Sequence, residues 1–126
     1  MINHYDKKLA IGLMSGTSLD GIDAALIELQ GYGEHTRHRL IQFWVEPFSS
    51  GIKEKISQAI NPKSSNAQII SELNFDLGFE FARAAQKVCI KAKIDLSEVT
   101  FIASHGQTVY HSALPPKNSL QIGEPA

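Results

Sequence analysis

Leu9-Ala-Ile-Gly-Leu-Met-Ser-Gly-Thr-Ser-Leu-Asp-Gly-Ile-Asp-Ala-Ala-Leu-Ile-Glu-Leu29 is the stretch whose reading decides the fold. Two apolar runs, residues 9–14 and 22–29, are divided by Ser15-Gly-Thr-Ser-Leu-Asp-Gly21. Each run has strand length and the divider consists of turn formers, which predicts a β-hairpin. Gly16 and Gly21 can take positive φ and leave backbone amides uncovered by any Cβ, while Ser15, Thr17 and Ser18 add hydroxyl donors. Convergent N–H and O–H donors at a tip of small residues can seat phosphate oxygens. An ordinary Asp-Gly turn whose hydroxyls bond their own backbone has the same composition. Two common phosphate motifs are excluded. There is no Gly-Lys-Ser/Thr, and no G-x-G-x-x-G opens a helix. Because residues after Gly21 read as strand, any phosphate here is held by a hairpin and not by a helix N-terminus.

Working outward, the 126 residues fit one domain with enough length to bury a core. A composition 43% apolar and 20% charged is that of an ordinary globular chain. The net charge of −1 argues against a nucleic-acid or anionic-membrane surface. Cys89 is the single cysteine and has no internal partner, which fits a reducing cytosol. The opening residues lack the apolar core of a signal peptide and no run approaches a membrane span, so a cytoplasmic protein is expected.

Residues 1–8 are polar and are expected to lie loosely over the start of the first strand. After the hairpin, residues 30–35 form a turn and residues 36–45 a third strand, exposed at its start and buried at its end, with Trp44 in the core. Three successive strands make an antiparallel meander. Ile52, Ile56, Ala59 and Ile60 then follow helical spacing, and Asn61-Pro62 ends that helix. Ser65 and Gln68 have the form of a capping box opening a long helix. Its apolar stripe runs through Ile70, Leu73, Leu77, Phe81, Ala84, Val88 and Ala92, with Cys89 beside it as a small core residue. Glu72, Asp76 and Glu80 precede Arg83, Lys87, Lys91 and Lys93, a charge order that complements the helix dipole and reads as a solvated face. Residues 100–104 form a strand of buried character, and its place after a long helix predicts parallel pairing with the meander. Residues 119–123 begin another short strand.

The second chemical stretch is Ser104-His-Gly-Gln-Thr-Val-Tyr-His111, at a strand end, where ligands gather in open α/β sheets. His105, Gly106, Gln107 and Thr108 offer mixed donors and acceptors that suit the hydroxyls and amide of a sugar. A strand end capped by its own polar side chains explains the same residues. A zinc site from His105 and His111 lacks a third ligand at helpful spacing, and the G-x-S-x-G of a hydrolase is absent.

The unbroken twelve residues from Gly12 to Asp23 closely resemble the opening of the anhydro-N-acetylmuramic acid kinases, a family of the actin-like ATPase superfamily. The stretch from Ser104 to His111, followed by Leu120-Gln-Ile-Gly123, resembles the same family's pattern in the right order. The resemblance implies an α/β fold with a ribonuclease H-like mixed sheet. An antiparallel three-strand meander, further parallel strands and packed helices would form an incomplete first lobe. Residues 1–126 would then be the N-terminal part of a two-lobed sugar kinase roughly three times this length. The ATP-phosphate role falls on Gly16, Thr17, Ser18, Leu19, Asp20, Gly21, Ile22 and Asp23, and the sugar role on His105, Gly106, Gln107 and Thr108. ATP and Mg²⁺ are the implied cofactors. The strand-end Asp of the wider superfamily aligns with Met14, as in this narrower family, so the resemblance leaves the metal to Asp20 or Asp23 through water, or to residues beyond this chain.

Such kinases use ATP and water to open the 1,6-anhydro ring of anhydro-N-acetylmuramic acid and phosphorylate O6. The product, N-acetylmuramic acid 6-phosphate, feeds peptidoglycan recycling. Their general base lies in an Asp-x-Gly-Pro-Gly-Asn stretch that these residues lack, so it is expected downstream of Ala126 and the chain alone is expected to be inactive. Two other readings stay open: a non-catalytic nucleotide- or sugar-binding module, and a structural half needing a separate second lobe. An exposed sheet edge also leaves a homodimer open.

Overall fold

The computed structural model describes residues 7–16 and 19–125. The expected hairpin is formed by β1 (Lys7–Ser15) and β2 (Gly21–Gln30), paired antiparallel from Lys7 opposite Gln30 to Ser15 opposite Ile22. Strand β3 (Arg37–Pro47) completes the meander on the far side of β2. Helices α1 (Ile52–Ile60) and α2 (Ala67–Ala92) follow, and β4 (Val99–Ser104) returns to pair with β1 in parallel. The strand order is β3-β2-β1-β4. A separate two-stranded sheet holds β5 (Gln107–His111) and β6 (Ser119–Ile122). The expected mixed α/β sheet is therefore present, with the parallel pair where alternation from helix to strand put it. No helix among the described residues is long and apolar enough to cross a membrane.

Side chains alternate across the sheet, so one face of β1 and β2 supplies Ile11, Leu13, Ile22, Ala24 and Leu26 to the core. The helices meet that face with Ile52, Ile56, Leu73, Leu77, Phe81 and Val88, following the predicted stripes. Fully burying a leucine or valine of this kind contributes about 1.5–3 kcal/mol. Cys89 lies in the same cluster; burial pushes its thiol up, and Asp95 and Glu98 add to the effect. That environment suits a packing residue and not a nucleophile.

Four expectations are corrected. Strand β4 is exposed, not buried: Phe101 is 46% and Ile102 47% accessible. It is the sheet's edge, and among the described residues no strand pairs with its outer side. The cap of α2 is Asn66, whose side chain accepts a hydrogen bond from the Ile69 amide at 2.9 Å; Ser65 lies one residue too early. Strand β3 is not simply buried toward its end, because Phe43 and Val45 face outward. Trp44 packs on the edge of the core, donates to Glu46 at 2.7 Å and carries Lys91 over its ring at 4.4 Å.

The fourth correction concerns Glu80. It does not belong to the solvated face but is buried, 4% accessible. Its carboxylate accepts from the Ser49 amide at 2.8 Å and pairs with Arg83 at 2.7 Å. Arg83 also donates to Glu46 at 3.2 Å and to the Pro47 carbonyl at 2.9 Å. One pair of side chains on α2 thus fastens the end of β3 and the loop after it. A buried charge of this kind is tolerated because every partner is paired. Glu80→Ala should destabilise the chain by about 2–4 kcal/mol, since it orphans the Ser49 amide and unbalances Arg83. Lys87→Ala, on the exposed side of α2, should stay within about 0.5 kcal/mol. Urea unfolding of both variants checks the contrast; equal effects would return Glu80 to the solvated face.

Candidate functional site

Strands β1 and β4 run parallel, with Leu13 opposite Ser104, so their carboxyl ends arrive together. The β1–β2 turn leaves from that end, and so does the chain segment that carries His105. The His105 amide donates to the Leu13 carbonyl at 3.0 Å, extending the pairing one step beyond β4. The two stretches singled out in the sequence therefore meet at one end of the sheet, though residues 24–103 separate them.

Within the hairpin, Gly16 is partly buried at the end of β1, and its carbonyl accepts from the Leu19 amide at 3.3 Å. Leu19 holds a left-handed backbone, φ 56°, and packs its side chain against the core. Asp20 is exposed. Thr17 and Ser18, two of the expected hydroxyl donors, lie outside the described residues. Ile22 is a core residue, so only its backbone faces the hairpin. Gly21 is a glycine for a reason other than positive φ. A Cβ built there would stand 2.2 Å from the Glu46 carbonyl oxygen, so β2 and β3 could not keep their approach.

Asp23 faces the opposite side of the sheet from the core. With Gly12, Met14, Phe43, Ser104 and His105 it borders an open groove of about 490 Å³. His105 is exposed at that groove. Gly106 does require positive φ, at 76°, and a Cβ there would also lie 2.8 Å from the Ile122 carbonyl oxygen. Thr108 is partly buried, and its hydroxyl accepts from the Gln121 side-chain Nε2 at 3.3 Å. Gln107 is buried, 4% accessible. Its side-chain carbonyl accepts from the Ser15 hydroxyl, and its amide donates to the Thr108 carbonyl at 3.0 Å. Of the twelve candidate residues, Asp23 and His105 bring side chains to a common groove, whereas Gly21, Gly106, Ile22 and Gln107 are held inside the fold.

Sequence reasoning missed what fixes the far side of the second stretch. The Gly123 amide donates to the Asn74 side chain at 2.8 Å, and the Glu124 amide to the Asn74 carbonyl at 2.9 Å. Gly78 permits this crossing, since a Cβ there would meet the Glu124 carbonyl oxygen at 2.4 Å. The available signal was a glycine in mid-helix, which generally marks a close approach. Among the described residues, no group of three or more His, Cys, Asp or Glu could hold a metal ion directly. Asp20 borders a pocket with Ser49 and Lys53, whereas Asp23 borders the groove with His105, so the two hairpin carboxylates do not converge on one site.

Residues 8–126 match the family model described as anhydro-N-acetylmuramic acid kinase. A curated kinase of that name from Bacillus cereus (strain AH187) is 49% identical over 119 residues, covering 91% of this chain and 31% of the relative. The kinase of that name from Bacillus thuringiensis subsp. konkukian (strain 97-27) is 48% identical over 120 residues, covering 92% and 31%. That from Bacillus anthracis (strain CDC 684 / NRRL 3495) is 48% identical over 119 residues, covering 91% and 31%. The chain thus spans 31% of the length of these curated relatives.

The close approach at Gly21 gives a direct test of how the hairpin is seated. Gly21→Ala should destabilise the chain by about 1–3 kcal/mol, the usual cost of overpacking. Gly12→Ala should be nearly neutral, within about 0.5 kcal/mol, because a Cβ there meets nothing within 4 Å. Thermal and urea unfolding of the two variants provide the comparison. An unaffected Gly21→Ala chain would show that the β2–β3 approach is not what requires glycine.

Proposed function

The chain belongs to the anhydro-N-acetylmuramic acid kinase family, and from that premise we propose that it is part of the first, ribonuclease H-like lobe of an actin-like sugar kinase. In this reading it supplies the phosphate-holding hairpin and one wall of the sugar site of a cytoplasmic enzyme. That enzyme opens the 1,6-anhydro ring of anhydro-N-acetylmuramic acid with ATP and water and phosphorylates O6 in peptidoglycan recycling. The observation that carries the reading is the common carboxyl end of β1 and β4, from which the hairpin departs and at which His105 stands.

The chemistry assigns different tasks to the two stretches. Attack of O6 on the γ-phosphorus forms an O–P bond as the bond to the ADP oxygen breaks. Water adds to the anomeric carbon as the bond from that carbon to O6 breaks, and a base takes the water's proton. Backbone amides around Gly16 and Asp20 would hold the phosphate oxygens, where developing charge is best met by prearranged donors. His105, at the groove, would hydrogen-bond the sugar, with Gly106 and Thr108 shaping the wall beside it. Mg²⁺, when bound, supplies charge neutralisation at the phosphates, and Asp20 or Asp23 is the carboxylate that would meet its waters. The general base is assigned to none of these residues, so the 126-residue chain by itself is expected to show no turnover.

Kinetics of the full-length kinase carrying these residues separate the two stretches. Gly16→Val places a branched side chain where phosphate would approach and should lower kcat/KM for ATP by about 100-fold or more. His105→Ala should lower kcat/KM for the anhydro-sugar by roughly ten- to a hundredfold, with the KM for ATP at saturating sugar little changed. Both titrations are corrected for folded protein by thermal melts. An equal shift in both substrate dependences for His105→Ala would remove His105 from the sugar site.

A further inference from the structure

We propose that Gln107 is a positioning residue: through Ser15 it locks the hairpin to the segment that carries His105. The resemblance put Gln107 among the residues that touch sugar, but both ends of its amide are engaged within the chain. Its Oε1 accepts from the Ser15 hydroxyl and its Nε2 donates to the Thr108 carbonyl. Ser15 and Gln107 are 8% and 4% accessible. Their side chains are 92 residues apart in sequence.

Ser15 is the last residue of β1, directly before Gly16, and Gln107 is the first residue of β5. Strand β5 pairs with β6 and not with the main sheet. Among the described residues, no ladder of backbone hydrogen bonds therefore fixes β5 against the hairpin. The Ser15–Gln107 bond does so, beside the backbone bond from His105 to Leu13. Leucine or valine at either position would pack but not set this distance, because dispersion contacts are non-directional whereas a buried hydroxyl–amide bond has one geometry. Losing the hydroxyl leaves a buried carbonyl without that donor, and the two segments lose their common reference.

This inference deepens the proposed function and rests on it for its kinetic arm. Full-length kinase variants Ser15→Ala, Ser15→Thr, Gln107→Met and the double variant Ser15→Ala/Gln107→Met are compared. Ser15→Ala and Gln107→Met should each lower kcat/KM for ATP and for the anhydro-sugar by about five- to tenfold. The double variant should be no worse than the worse single one, because both remove the same bond. Ser15→Thr, which keeps the hydroxyl, should stay within about twofold of the parent enzyme. A sugar effect confined to Gln107→Met, or effects that multiply in the double variant, would overturn the proposal and return Gln107 to direct contact.

A second readout does not depend on activity. The Leu19 amide, bonded to the carbonyl next to Ser15, should exchange its hydrogen about fivefold faster in Gln107→Met, relative to core amides of α2. Unchanged Leu19 exchange overturns the proposal. Faster exchange in a protein whose parent shows no anhydro-sugar kinase activity keeps the link and sinks the functional reading instead.

Discussion

Parallel pairing of β4 with β1 is the constraint on which the site depends. An antiparallel return would have carried the chain past Ser104 to the opposite end of the sheet, far from the hairpin. The parallel crossover needs a long connection, and α1 and α2 supply it. Their apolar stripes cover the same sheet face that the crossover must span, so the packing that stabilises the fold also delivers His105 to the hairpin. In this chain the core and the site are two consequences of one topology.

The hairpin is held from both sides by interactions of different character. On the β3 side the restraint is steric and ionic. Gly21 lies against the Glu46 backbone, and Glu46 itself is tied through Arg83 to the buried Glu80 of α2. On the β5 side it is the Ser15–Gln107 bond, beside the backbone bond from His105 to Leu13. Arg83 remains partly exposed, so its pairs are weakened by solvent, whereas Ser15 and Gln107 are both enclosed. A hydrogen bond has little net worth when water competes, and a broken one costs most where water cannot enter. The β5 side therefore depends on one enclosed side-chain bond, whereas the β3 side divides its hold among several pairs.

Most of the architecture was legible because local signals agreed with one another. Strand-length apolar runs around a small-residue turn, and a stripe from Leu73 to Val88 in steps of three and four, admit one hairpin and one long helix. The errors fall where the outcome depends on what lies across the fold. Glu80 has the sequence context of a surface charge, and only the distant Ser49 amide explains its burial. Residues 100–104 read as buried because apolar composition reports an ability to be covered, not the presence of a cover. Asn66 and Ser65 are both competent caps, and one residue of register is finer than periodicity can settle. The candidate site was legible as two stretches, but not as side chains. Composition identifies donors, while burial decides which of them still face outward.

That distinction changes how the motif residues divide. A polar residue inside a recognisable motif can act by touching a ligand or by holding a neighbour that does, and sequence treats both alike. Asp23 and His105 have side chains at the groove and can meet a ligand directly. Gly21 and Gly106 act by having no side chain, each against a carbonyl oxygen closer than any Cβ would tolerate. Gln107 acts inward, on Ser15. The chemical identity of a motif thus rests on a few outward groups, and much of the remaining motif fixes their spacing. Substitution at an inward position disturbs both stretches together, because it removes the reference that relates them. Substitution at an outward position disturbs one ligand and leaves the frame standing.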